Sequence, residues 1–322
     1  MYAMTNTISG ERDNKEVEAD VNKRNQILLE SGTNELEILE FTIGGQHYGI
    51  NVAKIAELMK SHEVTPMPNS NPYVEGIFNP RGTIMTLVNL PAYLGHPESE
   101  NIGTDIFIVT NFNKIFCAFR VHAVEEIHRL SWADIEKPDA AIYGGEEGLA
   151  TGIARVGDRL VTIIDFEKIM ADISPASGIQ LEDVTKMGER ERSDKPILMA
   201  EDSPTLNKLL VECLTQAGYT NLTMCSNGEE AWNVLQKYKG TGQPLSNHVG
   251  LVITDVEMPV MDGHKLINLI RNDEELDGLP IIIFSSLIDD AMRVKGERLG
   301  ATAQISKPEI AMLVGVIDEH IL

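Results

Sequence analysis

The sequence predicts two domains, an all-β N-terminal half and a doubly wound α/β C-terminal half, and three observations carry this. Its 322 residues exceed one average domain, since each domain buries its own core and commonly runs to about 100–200 residues. Between Leu36 and Ile164 short strands recur with turn signals between them, the pattern of β-barrels. After Pro196 apolar runs alternate with helical stretches, which implies a parallel sheet covered by helices.

Residues 1–34 are charged and read as an N-terminal extension, with a short amphipathic helix over Val21 to Leu29 that Ser31-Gly32-Thr33-Asn34 ends. Leu39, Phe41 and Ile43 alternate with polar residues. Gly44-Gly45 then turns the chain into Tyr48, Ile50 and Val52, which makes a hairpin with one buried face. Val52, Ile55, Leu58 and Met59 have helical spacing. Strands follow at Val74 to Phe78, Thr83 to Leu87, Asp105 to Thr110 and Ile115 to Phe119, with turns at Asn79-Pro80-Arg81-Gly82 and Asn111-Phe112-Asn113. Gly148 to Val156 and Leu160 to Ile164 are further strands about a Gly157-Asp158 turn, and Asp165 to Ala171 closes the domain as a helix. Residues 174–195 lack a hydrophobic period and read as a solvated linker. The expected division is therefore 1–34 extension, 35–173 first domain, 174–195 linker and 196–322 second domain.

A net charge of -22, from 27 basic against 49 acidic side chains, repels phosphate backbones and anionic lipid alike, so nucleic acid and membrane surfaces are not expected partners, and apolar stretches such as Ile281 to Phe284 fall far below the about 20 residues that direct membrane insertion needs. Cys117, Cys213 and Cys225 have no paired spacing, which argues against a disulfide framework or zinc site and for a reducing cytoplasm. Met1 to Asp20 lacks the basic start and apolar run of an export signal. His47, His62, His96, His122 and His128 are scattered without metal-binding spacing.

The chemistry concentrates in the second domain. In an open α/β sheet ligands bind beyond the carboxyl ends of strands, and here four apolar runs end on polar residues: Glu201-Asp202-Ser203, Asp255, Ser285-Ser286, and Ser306-Lys307-Pro308. Three carboxylates at one sheet edge repel one another unless a cation lies between them, and all-oxygen ligands select a hard ion such as Mg2+. A lysine and a hydroxyl opposite complete a phosphate cradle, and an aspartate can be the nucleophile that forms an aspartyl phosphate. Taken singly, Asp202 or Ser285 could cap a helix and Lys307 could be a solvated charge; an unspecialised sheet has no reason to order all four positions this way.

This set, with Asp255-Val-Glu-Met-Pro-Val-Met-Asp-Gly263 and Lys307-Pro308, resembles the receiver domain of response regulators over residues 196–322. The resemblance implies a flavodoxin-like fold with Asp255 as phosphoacceptor, Glu201 and Asp202 as the acidic pocket, and Ser285 and Lys307 on the phosphate. It further implies Mg2+ held by Glu201, Asp202, Asp255 and the backbone carbonyl of Glu257. Three departures stand out. The acid pair is Glu-Asp rather than Asp-Asp, which leaves Asp202 as the expected direct ligand. Gln304 replaces the usual aromatic switch residue. Glu257 and Leu287 border the path of hydrolytic water in this family.

Residues 35–173 resemble CheW through Phe41-Thr-Ile-Gly-Gly-Gln-His-Tyr-Gly-Ile50, Val74-Glu-Gly-Ile-Phe-Asn-Pro-Arg-Gly82 and Leu160-Val-Thr-Ile-Ile-Asp-Phe-Glu167. The implied fold is a pair of SH3-like β-barrels. This half has no concentrated acid/base, Cys/His or phosphate-loop signature, so binding is expected rather than catalysis. A Pro-Arg-Gly turn projects a guanidinium able to engage carboxylates; alone it is a plain exposed turn, but with the resemblance Asn79, Arg81 and Gly82 become the expected partner-binding residues. The layout is that of the CheV family. It implies a non-enzymatic adaptor between methyl-accepting chemoreceptors and the histidine kinase CheA, sited at cytoplasmic receptor arrays and modulated in adaptation by phosphate on Asp255. The alternatives are a phosphate sink draining the kinase and an aspartate-dependent phosphohydrolase.

Overall fold

The computed structural model describes residues 34–112, 115–136, 148–174, 178–188, 190–239, 242, 244–288 and 290–321. The helix expected at Val21 to Leu29 and the turn residue Asn113 lie outside them. Two five-stranded sheets form the first half. One comprises β1 (Glu35–Ile43), β2 (Gln46–Asn51), β8 (Ala123–Ser131), β9 (Ala150–Val156) and β10 (Arg159–Ile164), in the order β8-β1-β2-β10-β9. Its partner is β3 (Ile55–Lys60), β4 (Val74–Phe78), β5 (Met85–Asn89), β6 (Ile106–Phe112) and β7 (Ile115–Val121), ordered β3-β6-β7-β5-β4.

Each sheet curls over a core of its own. Leu36, Ile38, Trp132, Ala154, Val161 and Ile163 fill the first, and Met59, Phe78, Leu87, Phe107 and Val109 the second. Single bridges bring the open edges round: Glu136 to Ile153 in the first sheet, Thr65 to Ile77 in the second. At the latter Gly76 is required, because a Cβ there would stand 2.1 Å from the Thr65 carbonyl oxygen. A third core joins the two sheets, where Phe41, Ile50, Val88, Ile108 and Phe119, with Leu90 of the short helix α1 (Leu90–Tyr93), enclose Phe166 of helix α2 (Phe166–Ile173). Phe166 meets Phe119 edge-on at 4.6 Å between ring centres, a favoured aromatic geometry. The helix-like spacing at residues 52–59 forms instead a single 3₁₀ turn (Val52–Lys54) and strand β3. Leu58, which completed the apparent stripe, is exposed.

The second half is a parallel sheet ordered β12-β11-β13-β14-β15, from β11 (Ile197–Ala200), β12 (Leu222–Cys225), β13 (Leu251–Thr254), β14 (Ile281–Ser285) and β15 (Ala303–Ser306). Helices α4 (Pro204–Gln216), α5 (Gly228–Tyr238), α6 (Gly263–Arg271), α7 (Asp290–Leu299) and α8 (Ile310–Ile321) cover both faces. The five strands follow a doubly wound order whose direction reverses between β11 and β13. The stretch between the halves is not the solvated linker that its composition suggests. Leu181–Thr185 form the short helix α3, and Ile179 and Val184 bury against Leu214 and Ile317 of the receiver-side core. Among the described residues no helix is long and apolar enough to cross a membrane.

Candidate phosphoacceptor site

Strand register assembles the site. Ala200 lies beside Thr254 and Ser285 beside Ser306, so the residues that follow, Glu201 with Asp255 and Ser286 with Lys307, leave the sheet edge as neighbours. Five of the side chains singled out from the sequence meet there. Lys307 Nζ lies 2.7 Å from Glu201 Oε2 and 3.0 Å from Asp255 Oδ2. Asp255 Oδ1 accepts from the Val256 backbone N–H at 2.6 Å, and Ser285 Oγ from that of Leu287 at 3.3 Å. Glu201, Asp202 and Asp255 each offer a carboxylate oxygen within 4.8 Å of the others.

The loop after β13 is held tightly. Gly263, at the first turn of α6, donates its N–H to Val256 at 3.0 Å, and a Cβ there would come within 1.9 Å of the Asp255 carbonyl oxygen. Asp262 caps the helix by accepting from Lys265 N–H. The Asp-Gly pair that closes the motif thus serves to let α6 approach the backbone at the end of β13.

Electrostatics decide what the pocket accepts. Three carboxylates face one lysine in a buried setting. Burial, opposed by Lys307 and aided by Asp255, pushes the Glu201 carboxyl up to about 7. Burial and the neighbouring Glu201 and Asp255 push Asp202 well above the usual carboxylate range. Burial works against the charge of Lys307, but Asp255 and Glu201 outweigh it and hold the ammonium firmly protonated. The pocket therefore carries unneutralised negative charge, relieved either by protons or by a cation. The donor set fits a hard divalent ion: all oxygen, converging, with Lys307 already satisfying one side of Glu201.

Glu257 does not stand free at the edge of this pocket. Its carboxylate pairs with Lys54 Nζ at 2.7 Å and accepts from Asn51 Nδ2, both from the first domain. Lys54 also pairs with Glu167 at 2.9 Å, and Glu167 accepts from Ser286 Oγ at 2.5 Å. Asn34 donates to the Val260 carbonyl at 2.9 Å and accepts from Asp262 N–H at 3.0 Å. The two halves, expected to be separate bodies on a polar tether, meet directly at the candidate site. Of the contributing residues, Ser286 stands at a strand end visible in the sequence, whereas Asn34, Asn51, Lys54 and Glu167 escape a sequence reading of the site. The one available signal is Asp165, whose side chain accepts from Glu167 and Lys168 N–H at 2.9 and 3.0 Å and so fixes Glu167 in the first turn of α2.

Asn79, Arg81 and Gly82 lie in the β4–β5 loop, away from these interdomain bonds. The Arg81 guanidinium pairs with Glu57 at 3.2 Å while its side chain stays 76% exposed. Gln304 donates to the Arg293 carbonyl at 2.7 Å and fills the space beside Gly296, tying β15 to α7.

Comparison with known proteins agrees with this architecture. Residues 37–174 match the model of the CheW-like domain, and residues 197–317 that of the response regulator receiver domain. The chain is 30% identical to Chemotaxis protein CheV3 of Helicobacter pylori over 285 residues, 85% of this chain and 90% of that protein. It is also 30% identical to Chemotaxis protein CheV2 of the same organism over 310 residues, 90% of this chain and 95% of that protein. Among solved structures, the scaffolding protein TtCheW from Thermoanaerobacter tengcongensis aligns at 23% identity and a TM-score of 0.36, covering 41% of this chain and 84% of that one. The chemotaxis response regulator CheY4 of Vibrio cholerae aligns at 23% identity and a TM-score of 0.35, covering 40% of this chain and 100% of that one. Similarity that runs through both domains at 30% identity and over nine-tenths of its relatives' length makes this chain a member of the CheV family.

Proposed function

We propose that this protein is a switchable chemotaxis adaptor. Its CheW-like domain couples methyl-accepting chemoreceptors to the histidine kinase CheA at cytoplasmic receptor arrays, and phosphate on Asp255 changes that coupling during adaptation. The observation that supports the reading best is the bridging of Glu201 and Asp255 by a buried Lys307 at the carboxyl edge of the sheet.

In the proposed transfer, an Asp255 carboxylate oxygen attacks the phosphorus of a phosphohistidine. The P–N bond breaks, the imidazole leaves, and the phosphoryl group remains on Asp255 as an acyl phosphate. Ser285 then donates to a phosphoryl oxygen, and Lys307 follows the charge from carboxylate to phosphate. Glu201, Asp202, Asp255 and the Glu257 backbone carbonyl are the groups that would hold a Mg2+ ion, which when bound would neutralise the charge gathered there. Transfer is expected to stop in excess chelator. Asp202→Ala should weaken Mg2+ binding by about ten-fold or more, and Glu201→Ala by less, because Lys307 already engages Glu201; Mg2+ titrations followed by thermal shift measure both.

The adaptor reading is tested by reconstituting receptor, kinase and this protein, and comparing wild type with Asp255→Ala at matched phosphate drain. Equal kinase activity in the two would leave only a phosphate sink, and steady turnover of an external phosphoester would indicate a hydrolase. On the docking side, Arg81 is three-quarters exposed and Ile84 of the same loop is 66% exposed. Arg81→Glu should therefore reduce receptor capture in a pull-down while phosphate uptake at Asp255 persists.

A further inference from the structure

The edge that carries Asp255 is covered by the chain's own adaptor domain. Asp255 is 8% exposed, Lys307 5% and Ser285 1%, and the bonds from Asn34, Asn51, Lys54 and Glu167 form a rim on the adjoining loops, at Val260, Asp262, Glu257 and Ser286. Glu167 is central to the rim. The Asp165 cap sets it in the first turn of α2, its carboxylate accepts from Ser286 beside Ser285, and Lys54 bridges it to Glu257. Burial opposes its charge, yet Lys54 and then Lys307 outweigh this and hold its carboxyl at about 2. An anion from one domain thus lies within the field of the lysine expected to receive phosphate in the other.

A second anchor is independent of this charge. Val260 adopts φ +68, a left-handed conformation unfavourable for a β-branched residue. Asn34 binds the carbonyl of Val260 and the N–H of Asp262, clasping the loop in that form.

We infer that Glu167 is an internal stand-in for the phosphoryl group, through which the adaptor domain docks on the unphosphorylated receiver, so that docking and phosphate on Asp255 exclude one another. The inference rests on Asp255 being the phosphoacceptor. A phosphoryl group adds roughly two negative charges at the strand end where Ser286, next to Ser285, holds Glu167, and like charges there repel. The docked domain in turn stands in the way of any phosphodonor. Because coupling between sites is reciprocal at equilibrium, docking disfavours the phosphorylated state by as much as phosphorylation favours release of the adaptor face that carries Asn51, Lys54 and Glu167.

The test uses the full chain, acetyl phosphate and Mg2+, with the rate of label incorporation as readout. Glu167→Gln keeps the shape and removes the charge, and should speed labelling by about ten-fold, within the usual range of intersite coupling. Lys54→Gln, at the other end of the same network, should act in the same direction and guards against a folding defect in the first variant. Joining Asn34→Cys to Val260→Cys with a short bis-maleimide should slow labelling by a similar factor. Wild-type rates in both charge variants and in the tethered protein, with Asp255→Asn unlabelled, would overturn the stand-in while sparing the phosphoacceptor. Undiminished labelling of Asp255→Asn would instead remove the reading on which it rests.

Discussion

Asp255→Asn is expected to reduce phosphate incorporation from phosphorylated kinase or acetyl phosphate to background, with the fold retained. Asparagine nearly matches aspartate in shape but has no anionic oxygen to attack phosphorus, and the chemistry of phosphoryl transfer offers no other role for the residue to fall back on. The fold should survive because of what surrounds the position. Asp255 is one of three carboxylates around a single lysine, and its charge helps push the Glu201 carboxyl up to about 7. Removing that charge relieves repulsion, while Lys307 keeps Glu201 at 2.7 Å. The backbone bond from Val256 N–H to the 255 side chain can be accepted by an amide oxygen as well as by a carboxylate. Mass spectrometry of the hydroxylamine-sensitive acyl phosphate gives the measurement, with circular dichroism as the control for folding. Full labelling of the variant would move the phosphoacceptor elsewhere.

The candidate site was legible because its residues in the second half lie at the ends of apolar runs, and a parallel sheet aligns such ends. Ala200 beside Thr254 and Ser285 beside Ser306 turn that sequence pattern into contact. Elements with ambiguous or weak periods were not legible. At residues 55–60 burial alternates with period two, but Leu58 supplies an apolar residue on the solvent side and mimics a helical stripe. Strand β8 places Glu125 and Glu126 together in the open, where the two lie opposite the single residue Glu40 of β1 as a bulge, so the alternation of β8 is broken in its sequence. Edge strand β12 has only Cys225 fully buried. In the linker, Ile179 and Val184 are too widely spaced to show a period, although both bury. The interdomain bonds are the extreme case: Asn51 and Glu257 are 206 positions apart, and neither carries a local mark of the other.

A buried arginine makes the same point and allows the second large effect to be foreseen. Arg120, at the end of β7, is 2% exposed and gives its guanidinium to Glu75 and Glu98 at 2.5 Å each and to Asp105 at 3.2 Å. The three acids are not equal. Glu98 is half exposed and Glu75 about a quarter, so water can take over much of their solvation, whereas Asp105 is 1% exposed. Arg120→Ala should therefore destabilise the CheW-like domain by about 3–5 kcal/mol, the cost typical of leaving one member of a buried ion pair uncompensated. That is a large share of the roughly 5–15 kcal/mol that holds a domain folded. Denaturant unfolding monitored on Trp132, which lies in the adaptor core, measures the loss. Its origin is separable by a double-mutant cycle. If the stranded Asp105 charge dominates, adding Asp105→Asn to Arg120→Ala should recover part of the stability, and adding Glu98→Gln should recover almost none. Equal recovery by the two would assign the loss to packing of the arginine's long stem instead.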